Sequence, residues 1–160
     1  MLAGESVKDI LVDCGVTHVV WIPDSSTGAW NAALSSTNAL TLIRVCREGE
    51  AVAVAAGLLL GGKKPVVIIQ CTGLFEAGDS LRNFVHDFGL PIFVLVGLRN
   101  YYAYRQGRSR DSAPRFAESI VQTWQIPYII LEDTSLKDDL AAIYTRSVKE
   151  KRPQVVFLAE

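Results

Sequence analysis

The sequence has no apolar run long enough to cross a membrane as a helix. Its longest, from Ala51 to Gly62, ends well short of the roughly 20 residues that a bilayer requires. The N-terminal stretch MLAGESVKDI carries charges where a signal peptide needs an apolar segment. Positive charge is not in excess either, since the formal net charge is −1. These absences predict a cytoplasmic protein that binds neither membrane nor nucleic acid.

Cysteine and histidine are also scarce. Cys14, Cys46 and Cys71 are odd in number and show no C-x-x-C spacing, which argues against a disulfide framework and a thiolate zinc site. Neither His18 nor His86 has an acid or a thiol at a spacing typical of metal ligands. We therefore expect this chain to hold no metal ion by itself.

Apolar, β-rich runs alternate with helix-like stretches along the whole chain. The predicted strands are 17–22, 40–45, 65–70, 91–97, 127–131 and 154–158. The predicted helices lie near 5–14, 26–36, 48–61, 73–88, 113–124 and 135–150, the last capped by residues 133–135. The strand runs are continuously apolar, as expected for parallel strands covered on both faces. The pattern predicts an α/β fold, with one three-layer domain over residues 1–160 and a six-stranded, mainly parallel sheet.

Ligands of open parallel sheets bind beyond the carboxyl ends of the strands. This rule selects five stretches before any motif is considered: 23–26, 46–48, 71–74, 98–112 and 132–133. The segment 98–112, LRNYYAYRQGRSRDS, is the one long stretch without a predicted helix or strand. Loops of that length are often functional.

The stretch RVCREGEAVAVAAGLLLGG, which starts at Arg44, places its charge at one end. Glu48 and Glu50 fall in the first turn of a predicted helix, where the helix dipole alone favours acids by about 0.3–1 kcal/mol. After Glu50 the helix is apolar around its whole circumference and must be covered on all sides. Its own sheet covers one side, so we expect a second subunit on the other. Glu48 would then lie in a cleft between chains, which makes it a candidate for proton transfer.

Three segments carry a family resemblance. REGEAVAVAAG resembles the E-x-x-A-x-x-A-A-x-G motif of the pyrimidine-binding (PYR) domain of thiamine diphosphate enzymes, with Glu48 as its glutamate and Ala51 and Gly57 in place. WIPDSS, residues 21–26, and VVIIQCTGL, residues 66–74, resemble the loops after the first and third strands of the family's decarboxylases. The resemblance spans essentially the whole chain in order and spacing. It is strongest to the α chains of sulfopyruvate decarboxylase and the N-terminal half of phosphonopyruvate decarboxylase.

The resemblance implies a thiamine diphosphate site. It makes Glu48 the catalytic acid, which hydrogen-bonds ring nitrogen N1′ of the cofactor's aminopyrimidine and shares a proton with it. It also implies that Thr72, Gly73 and Leu74 contact the same ring, mostly through backbone atoms. TGLFEAG, residues 72–78, departs from the SGLGN of phosphonopyruvate-type chains, which leaves the substrate open.

Two further loops are candidates for substrate binding. Asp24 and Ser25 match the decarboxylase loop that helps to orient the substrate, and an Asx turn capping the next helix is the alternative. Arg99, Arg105 and Arg108 belong to the 98–112 loop. Arginine binds carboxylate, sulfonate or phosphonate through paired N–H groups, and a solvated surface loop is the alternative.

The second half of a thiamine diphosphate site is missing. The family motif that holds the diphosphate through Mg²⁺ is GDG or GDS, followed after roughly 25–30 residues by Asn. GDS occurs at 78–80, but in a predicted helix and without Asn in 104–110. The resemblance thus implies a separate β (PP-domain) subunit that carries GDG…N and holds Mg²⁺, in an α2β2 or larger assembly.

The implied activity is decarboxylation of sulfopyruvate or a similar acidic 2-oxo acid. A carboligase subunit and a non-catalytic regulatory or interaction subunit are the alternatives within the same fold. A flavodoxin-like nucleotide-binding module is disfavoured, because no glycine-rich phosphate loop follows any predicted strand.

Overall fold

The computed structural model describes residues 2–132 and 136–160, and its strands form one six-stranded sheet. The strands are β1 His18–Trp21, β2 Thr41–Arg44, β3 Pro65–Gln70, β4 Phe93–Leu98, β5 Tyr128–Leu131 and β6 Gln154–Ala159. Their order is β2-β1-β3-β4-β6-β5, and every neighbouring pair is parallel. The predicted α/β fold is confirmed. The predicted cap at 133–135 lies outside the described residues.

Helices cover both faces of the sheet. They are α1 Gly4–Asp13, α2 Asn31–Ser35, α3 Glu48–Leu60, α4 Gly73–Glu76, α5 Gly78–Arg82, α6 Tyr101–Arg105, α7 Ala113–Thr123 and α8 Leu136–Glu150. A 3-10 turn at Gly28–Trp30 precedes α2, and a π-helical turn at Asn83–Asp87 follows α5.

Two apolar clusters lie on opposite sides of the sheet. Val66 and Ile68 of β3 pack in the cluster that contains residues of α1 and α8, while Val67 and Ile69 pack with α3 and α7. All four side chains are fully buried. Because successive residues of a strand face opposite ways, a strand covered on both faces reads as a continuous apolar run. The three-layer arrangement is therefore the one that the sequence predicted.

Two predicted elements differ from the structure. The helix predicted over 73–88 is divided into α4, α5 and the π-helical turn, because Ala77 between α4 and α5 has a ψ of −3°. Gly78 follows, and a Cβ there would lie 3.1 Å from the indole of Trp124, so the close approach of α7 is accommodated at this break. The 98–112 segment is not wholly irregular, since it contains α6 after Asn100 in the left-handed region at φ 60°.

Helix α3 is only partly covered. Ala51, Val52, Ala55 and Ala56 are buried against the sheet, whereas Leu60 is 73% exposed. Ala53 and Gly57 share the exposed face with Leu60. The helix is thus as apolar as predicted, with one face open to solvent. Among the described residues, no helix is both long and apolar enough to traverse a bilayer.

Candidate active site at the carboxyl edge of the sheet

Glu48 is the first residue of α3, which is separated from the carboxyl end of β2 by three residues. Its half-buried side chain lies against the backbone of Gly73, the first residue of α4. A Cβ placed on Gly73 would come within 2.6 Å of Glu48 Cγ and 2.7 Å of Oε1, closer than real carbon contacts allow. The structure therefore brings together two residues that the sequence predicted to share one site.

A second acid, Glu76, lies beside Glu48 and was not among the predicted site residues. Glu76 of α4 accepts a hydrogen bond from the backbone N–H of Gly49 at 2.6 Å, and Arg47 donates to it through Nε at 2.8 Å. These contacts, led by the Gly49 N–H, lower the pKa of Glu76. Glu76 therefore caps the N-terminus of α3 as a fixed anion. In the sequence, the signal that could have identified Glu76 was the departure of TGLFEAG, residues 72–78, from SGLGN.

Glu50 occupies the same helical turn but a different environment. Its carboxylate accepts a hydrogen bond from the backbone N–H of Cys46 at 3.1 Å, and the side chain is exposed. Among the described residues, no hydrogen bond reaches the carboxylate of Glu48. The two first-turn acids are thus distinguished by their partners, and only Glu48 faces α4.

Thr72 and Leu74 flank Gly73 and differ in exposure. Leu74 is fully buried in the core, so its side chain faces away from solvent. Thr72 is exposed and donates its hydroxyl hydrogen to Gln70 Oε1 at 3.0 Å. Within Thr72–Leu74 the exposed residue is thus Thr72, and contact of this loop with the cofactor ring stays a prediction.

Gln70, the last residue of β3, connects the loops after β1 and β3. Its amide nitrogen donates to Ser25 Oγ at 2.8 Å and to Ser26 Oγ at 3.2 Å. Its amide oxygen accepts from Thr72. Gln70 is 7% exposed, so this network is mostly shielded from water. Sequence reasoning missed Gln70, although a polar residue closing the apolar run PVVIIQ was a visible signal.

Asp24 forms the turn that was considered as the alternative to substrate binding. Its Oδ1 accepts from the backbone N–H groups of Ser26 at 2.7 Å and Thr27 at 2.8 Å, and its Oδ2 accepts from Thr27 Oγ1 at 3.1 Å. This is an Asx turn. Ser25 remains exposed at the tip of the loop. Asp24 thus fixes the loop that presents Ser25.

The three arginines that were predicted to bind substrate, Arg99, Arg105 and Arg108, have different surroundings. Arg99 pairs with Asp111 at 3.1 Å, and its buried Nε has no hydrogen-bond partner among the described residues. The pKa of Asp111 is lowered, first by the backbone N–H of Ala113 and also by Asn100 and Arg99. The guanidinium of Arg99 is therefore held beside the carboxyl end of β4, with one N–H unsatisfied.

Arg105 and Arg108 are not brought to Glu48 by any contact that the structure records. Arg105 lies over the ring of Tyr101, 5.7 Å from its centroid, and Arg108 bonds Gln106 at the exposed surface. Tyr101 in turn donates to Glu132 Oε1 at 2.6 Å. These contacts tie α6 to the residue after β5. Of these three arginines, Arg99 is thus the one held by an ion pair directly after β4, and binding of substrate by any of them stays a prediction.

The residues present fit an aminopyrimidine better than a metal ion. Gly73 has no Cβ, and the Glu48 side chain fills the space that one would take, so the carboxyl is held against the start of α4. Glu48 Oε1 and Oε2 can exchange a hydrogen bond with a ring nitrogen. Within the described residues, no group of three or more His, Cys, Asp or Glu side chains could hold a metal.

The chain belongs to the thiamine pyrophosphate enzyme family. Residues 1–116 match the family model described as thiamine pyrophosphate enzyme, N-terminal TPP binding domain. This confirms the resemblance drawn from Glu48 and its neighbouring segments.

Relatives and solved structures agree with this assignment. The chain is 25% identical over 128 residues to the sulfopyruvate decarboxylase subunit alpha of Methanococcus maripaludis, covering 80% of this chain and 76% of that subunit. It is 27% identical over 125 residues to a phosphonopyruvate decarboxylase of Streptomyces viridochromogenes, covering 78% of this chain and 32% of the relative.

Benzoylformate decarboxylase from Polynucleobacter necessarius has the same fold, with a TM-score of 0.75 and 17% identity. The alignment covers 99% of this chain and 30% of that one. The chain therefore matches nearly the length of a separate subunit, but only about a third of the longer enzymes.

Proposed function

We propose that this chain is the α (PYR) subunit of a thiamine diphosphate-dependent 2-oxo acid decarboxylase. The observation that carries the proposal is the contact between the Glu48 carboxyl and the backbone of Gly73 at the carboxyl edge of the sheet. Family membership supports the cofactor, and relatives named as decarboxylases support the reaction class. Residues 1–160 act as one cofactor-binding domain in this proposal.

With the cofactor bound, Glu48 would hydrogen-bond N1′ of the aminopyrimidine and share a proton with it, while Gly73 and the backbone of Thr72 and Leu74 would position the ring. Thiamine diphosphate, when bound, supplies the electron sink for loss of CO2. Glu48 is half-buried, which limits water at its carboxyl and would strengthen a hydrogen bond to the ring. Glu76, held by Gly49 and Arg47, keeps the first turn of α3 in place beside Glu48.

The site is completed by a β (PP-domain) subunit that carries the GDG…N motif and holds Mg²⁺ with the diphosphate. Two observations support a partner. The exposed face of α3, with Leu60 at 73% exposure, is apolar. Small residues at Ala53 and Gly57 permit close approach of another chain. An α2β2 or larger assembly follows most simply, because each complete site then needs both kinds of chain.

The substrate is a small 2-oxo acid with a second acidic group, such as sulfopyruvate. Arg99 supports this assignment, because its guanidinium is oriented by Asp111 and keeps an unsatisfied N–H. Guanidinium groups bind carboxylate, sulfonate and phosphonate through paired N–H donors. Asp24 and Ser25 contribute the loop that faces the substrate's carboxylate, whereas Arg105 and Arg108 are assigned to the outer part of the same binding region.

Glu48→Gln tests the proposal. The chain is co-purified with a partner carrying GDG…N, and CO2 release is measured with pyruvate, sulfopyruvate and phosphonopyruvate in the presence of Mg²⁺ and thiamine diphosphate. Loss of proton sharing predicts a fall in kcat of about 10²–10⁴-fold. Glu50→Gln is the matched control, because that acid lies in the same turn and bonds Cys46 instead. Unchanged activity of Glu48→Gln, or full turnover by this chain without a partner, contradicts the proposal.

A further inference from the structure

We propose that a cavity at the amino edge of the sheet binds a small zwitterion, an amino acid-like molecule with one carboxylate and one ammonium group. The cavity has a volume of about 320 Å³ and lies between the end of α8 and the starts of β5 and β6. This volume is at the lower end of the range for small-molecule sites. Glu48 and Gly73 lie at the opposite, carboxyl edge, so the inference does not depend on the proposed function.

Two buried polar side chains line the cavity, Gln154 at 7% exposure and Ser147 at 6%. Gln154 Nε2 donates to the backbone carbonyls of Pro127 at 3.2 Å and Val155 at 2.9 Å. Carbonyl oxygens can only accept, so both amide hydrogens are used and the orientation of the amide is fixed. Ser147 Oγ donates its hydrogen to the carbonyl of Arg152 at 2.7 Å. Toward a ligand, both side chains therefore present lone pairs and no hydrogen.

The amide oxygen of Gln154 is an acceptor that is open to the cavity. Among the described residues, no group donates a hydrogen bond to Gln154 Oε1. In the same part of the chain, Arg99 Nε is the one fully buried side-chain nitrogen or oxygen without a partner, so Gln154 Oε1 is not sealed in the core. It is reached from the cavity that Gln154 lines. A ligand group that meets this oxygen must be a hydrogen-bond donor.

Two arginines supply the opposite chemistry at the outer part of the cavity. Arg146 of α8 and Arg152 after α8 line it and are exposed. Arg146 has no hydrogen bond or ion pair within the described residues, and Arg152 Nη1 approaches Glu150 Oε2 only to 3.9 Å. Guanidinium groups bind carboxylates through paired N–H donors. The outer part of the cavity thus favours an anionic group, whereas Gln154 favours a donor.

The end of α8 favours a donor that carries positive charge. The helix ends at Glu150, and the carboxyl end of a helix carries a partial negative charge. The Glu150 carboxylate also lines the cavity. Both features favour an ammonium group over a neutral hydroxyl. A zwitterion satisfies the acceptors and the guanidinium groups together, whereas a simple anion or a simple cation satisfies one set alone.

The first experiment compares matched small molecules by isothermal titration calorimetry with the full chain. β-Alanine is the zwitterion, propanoate lacks its ammonium group, propylamine lacks its carboxylate, and 3-hydroxypropanoate has a hydroxyl in place of the ammonium. Glycine and 4-aminobutanoate vary the separation of the two charges. The best zwitterion is expected to bind with a Kd of about 1 mM or lower, at least about tenfold more tightly than the other three. Equal affinity for propanoate or 3-hydroxypropanoate, or no binding of any zwitterion, overturns the proposal.

Substitution of the arginines tests the anionic end of the site. Arg146→Met and Arg152→Met are each expected to weaken binding of both β-alanine and propanoate about tenfold. Lys149→Met is the matched control, because it removes a positive charge from the same last turn of α8 at a residue that does not line the cavity. It is expected to leave the affinity within about twofold of wild type. Wild-type affinity in both arginine variants overturns the proposal.

Substitution of Gln154 tests the donor end. Gln154→Met is expected to bind β-alanine no more tightly than propanoate, whereas the arginine variants keep the preference for β-alanine. Thermal unfolding shows whether Gln154→Met is folded, and a folded variant with the wild-type preference overturns the role of Gln154. Backbone amide chemical shifts of the wild-type chain locate the ligand without any substitution. The largest changes on adding β-alanine are expected at Ser147, Arg152 and Gln154, and largest changes at Gly73 would place the ligand at the carboxyl edge and contradict the proposal.

Discussion

The side chain of Glu48 and the backbone of Gly73 are in direct contact, although the two residues begin different helices after different strands. The contact is possible because β2 and β3 both pair with β1 in parallel, so that their carboxyl ends lie at the same edge of the sheet. A glycine at position 73 leaves the space that the glutamate occupies.

Gly73→Ala is expected to abolish most activity while the protein stays folded. The new methyl group would overlap Cγ and Oε1 of Glu48, and a flexible glutamate can move aside at little cost in stability. We expect a fall in kcat of at least about tenfold with a change in the free energy of unfolding below about 1 kcal/mol. Steady-state kinetics and urea unfolding measure the two quantities. Gly28→Ala, where a Cβ meets nothing within 4 Å, is the control.

The strands and the position of Glu48 were readable from the sequence for a physical reason. Strands buried on both faces must be apolar throughout, and six such runs were visible. The carboxyl-end rule then selected short stretches, among them those holding Glu48 and Gly73. The sequence pattern was sufficient to predict those features that depend on a single strand or helix and its burial.

The features that sequence reasoning missed depend on contacts between distant segments. The side chain that caps α3 is Glu76 of another helix, and the sequence of the first turn of α3 does not predict this contact. The break before Gly78 reflects packing against Trp124 of the segment after α7. Gln70 links loops that the chain separates by 45 positions, as its bond to Ser25 shows. Contacts of this kind depend on the tertiary structure and not on the local sequence.

Substitutions at Gly57 test whether the exposed face of α3 is a subunit interface. A Cβ at Gly57 meets nothing within 4 Å in this chain, so Gly57→Ala should raise the free energy of unfolding by about 0.5–1 kcal/mol through helix propensity. Gly57→Lys keeps that propensity but places a bulky charge on the face. We expect it to prevent co-purification with the partner subunit. Retained assembly in Gly57→Lys would place the interface elsewhere.

The lowered pKa of Glu76 predicts that the free energy of unfolding decreases at acid pH. Its pKa is lowered in the folded state, so its stabilising contribution is complete above the unfolded value of about 4.3 and is lost as pH falls through the lower folded pKa. Glu76→Gln should cost about 0.5–2 kcal/mol near pH 7, as for loss of a helix cap. The gap between variant and wild type should close at acid pH, as followed by urea unfolding.

Asp79→Asn provides the control for this pH dependence. Asp79 pairs with Arg82 on the surface, and its side chain is 86% exposed. Exposed ion pairs contribute little, so the substitution should leave stability nearly unchanged at neutral and acid pH. An equal cost of Glu76→Gln at both pH values would mean that the carboxylate charge does not contribute to the cap.

The raised pKa of Tyr101 predicts that the free energy of unfolding falls as the pH rises in the alkaline range. Burial, followed by its hydrogen bond to Glu132, raises the pKa of Tyr101 from 10.0 to about 12. Between these values the unfolded chain loses the phenolic proton while the folded chain keeps it, so stability falls as pH rises. Tyr101→Phe should cost about 1 kcal/mol near pH 8 through loss of the bond, and the cost should shrink toward pH 11.

A substitution at Tyr144 distinguishes the effect of burial on stability from the effect of the Tyr101–Glu132 hydrogen bond. Burial raises its pKa to about 12 as well, and its ring packs edge-on against Phe93, 5.0 Å between centroids. Tyr144 has no carboxylate partner among the described residues, so Tyr144→Phe should be nearly neutral near pH 8 and relatively stabilising at pH 11. Urea unfolding of both variants at the two pH values measures the difference. A cost of Tyr144→Phe equal to that of Tyr101→Phe at pH 8 would show that the Glu132 contact does not stabilise α6.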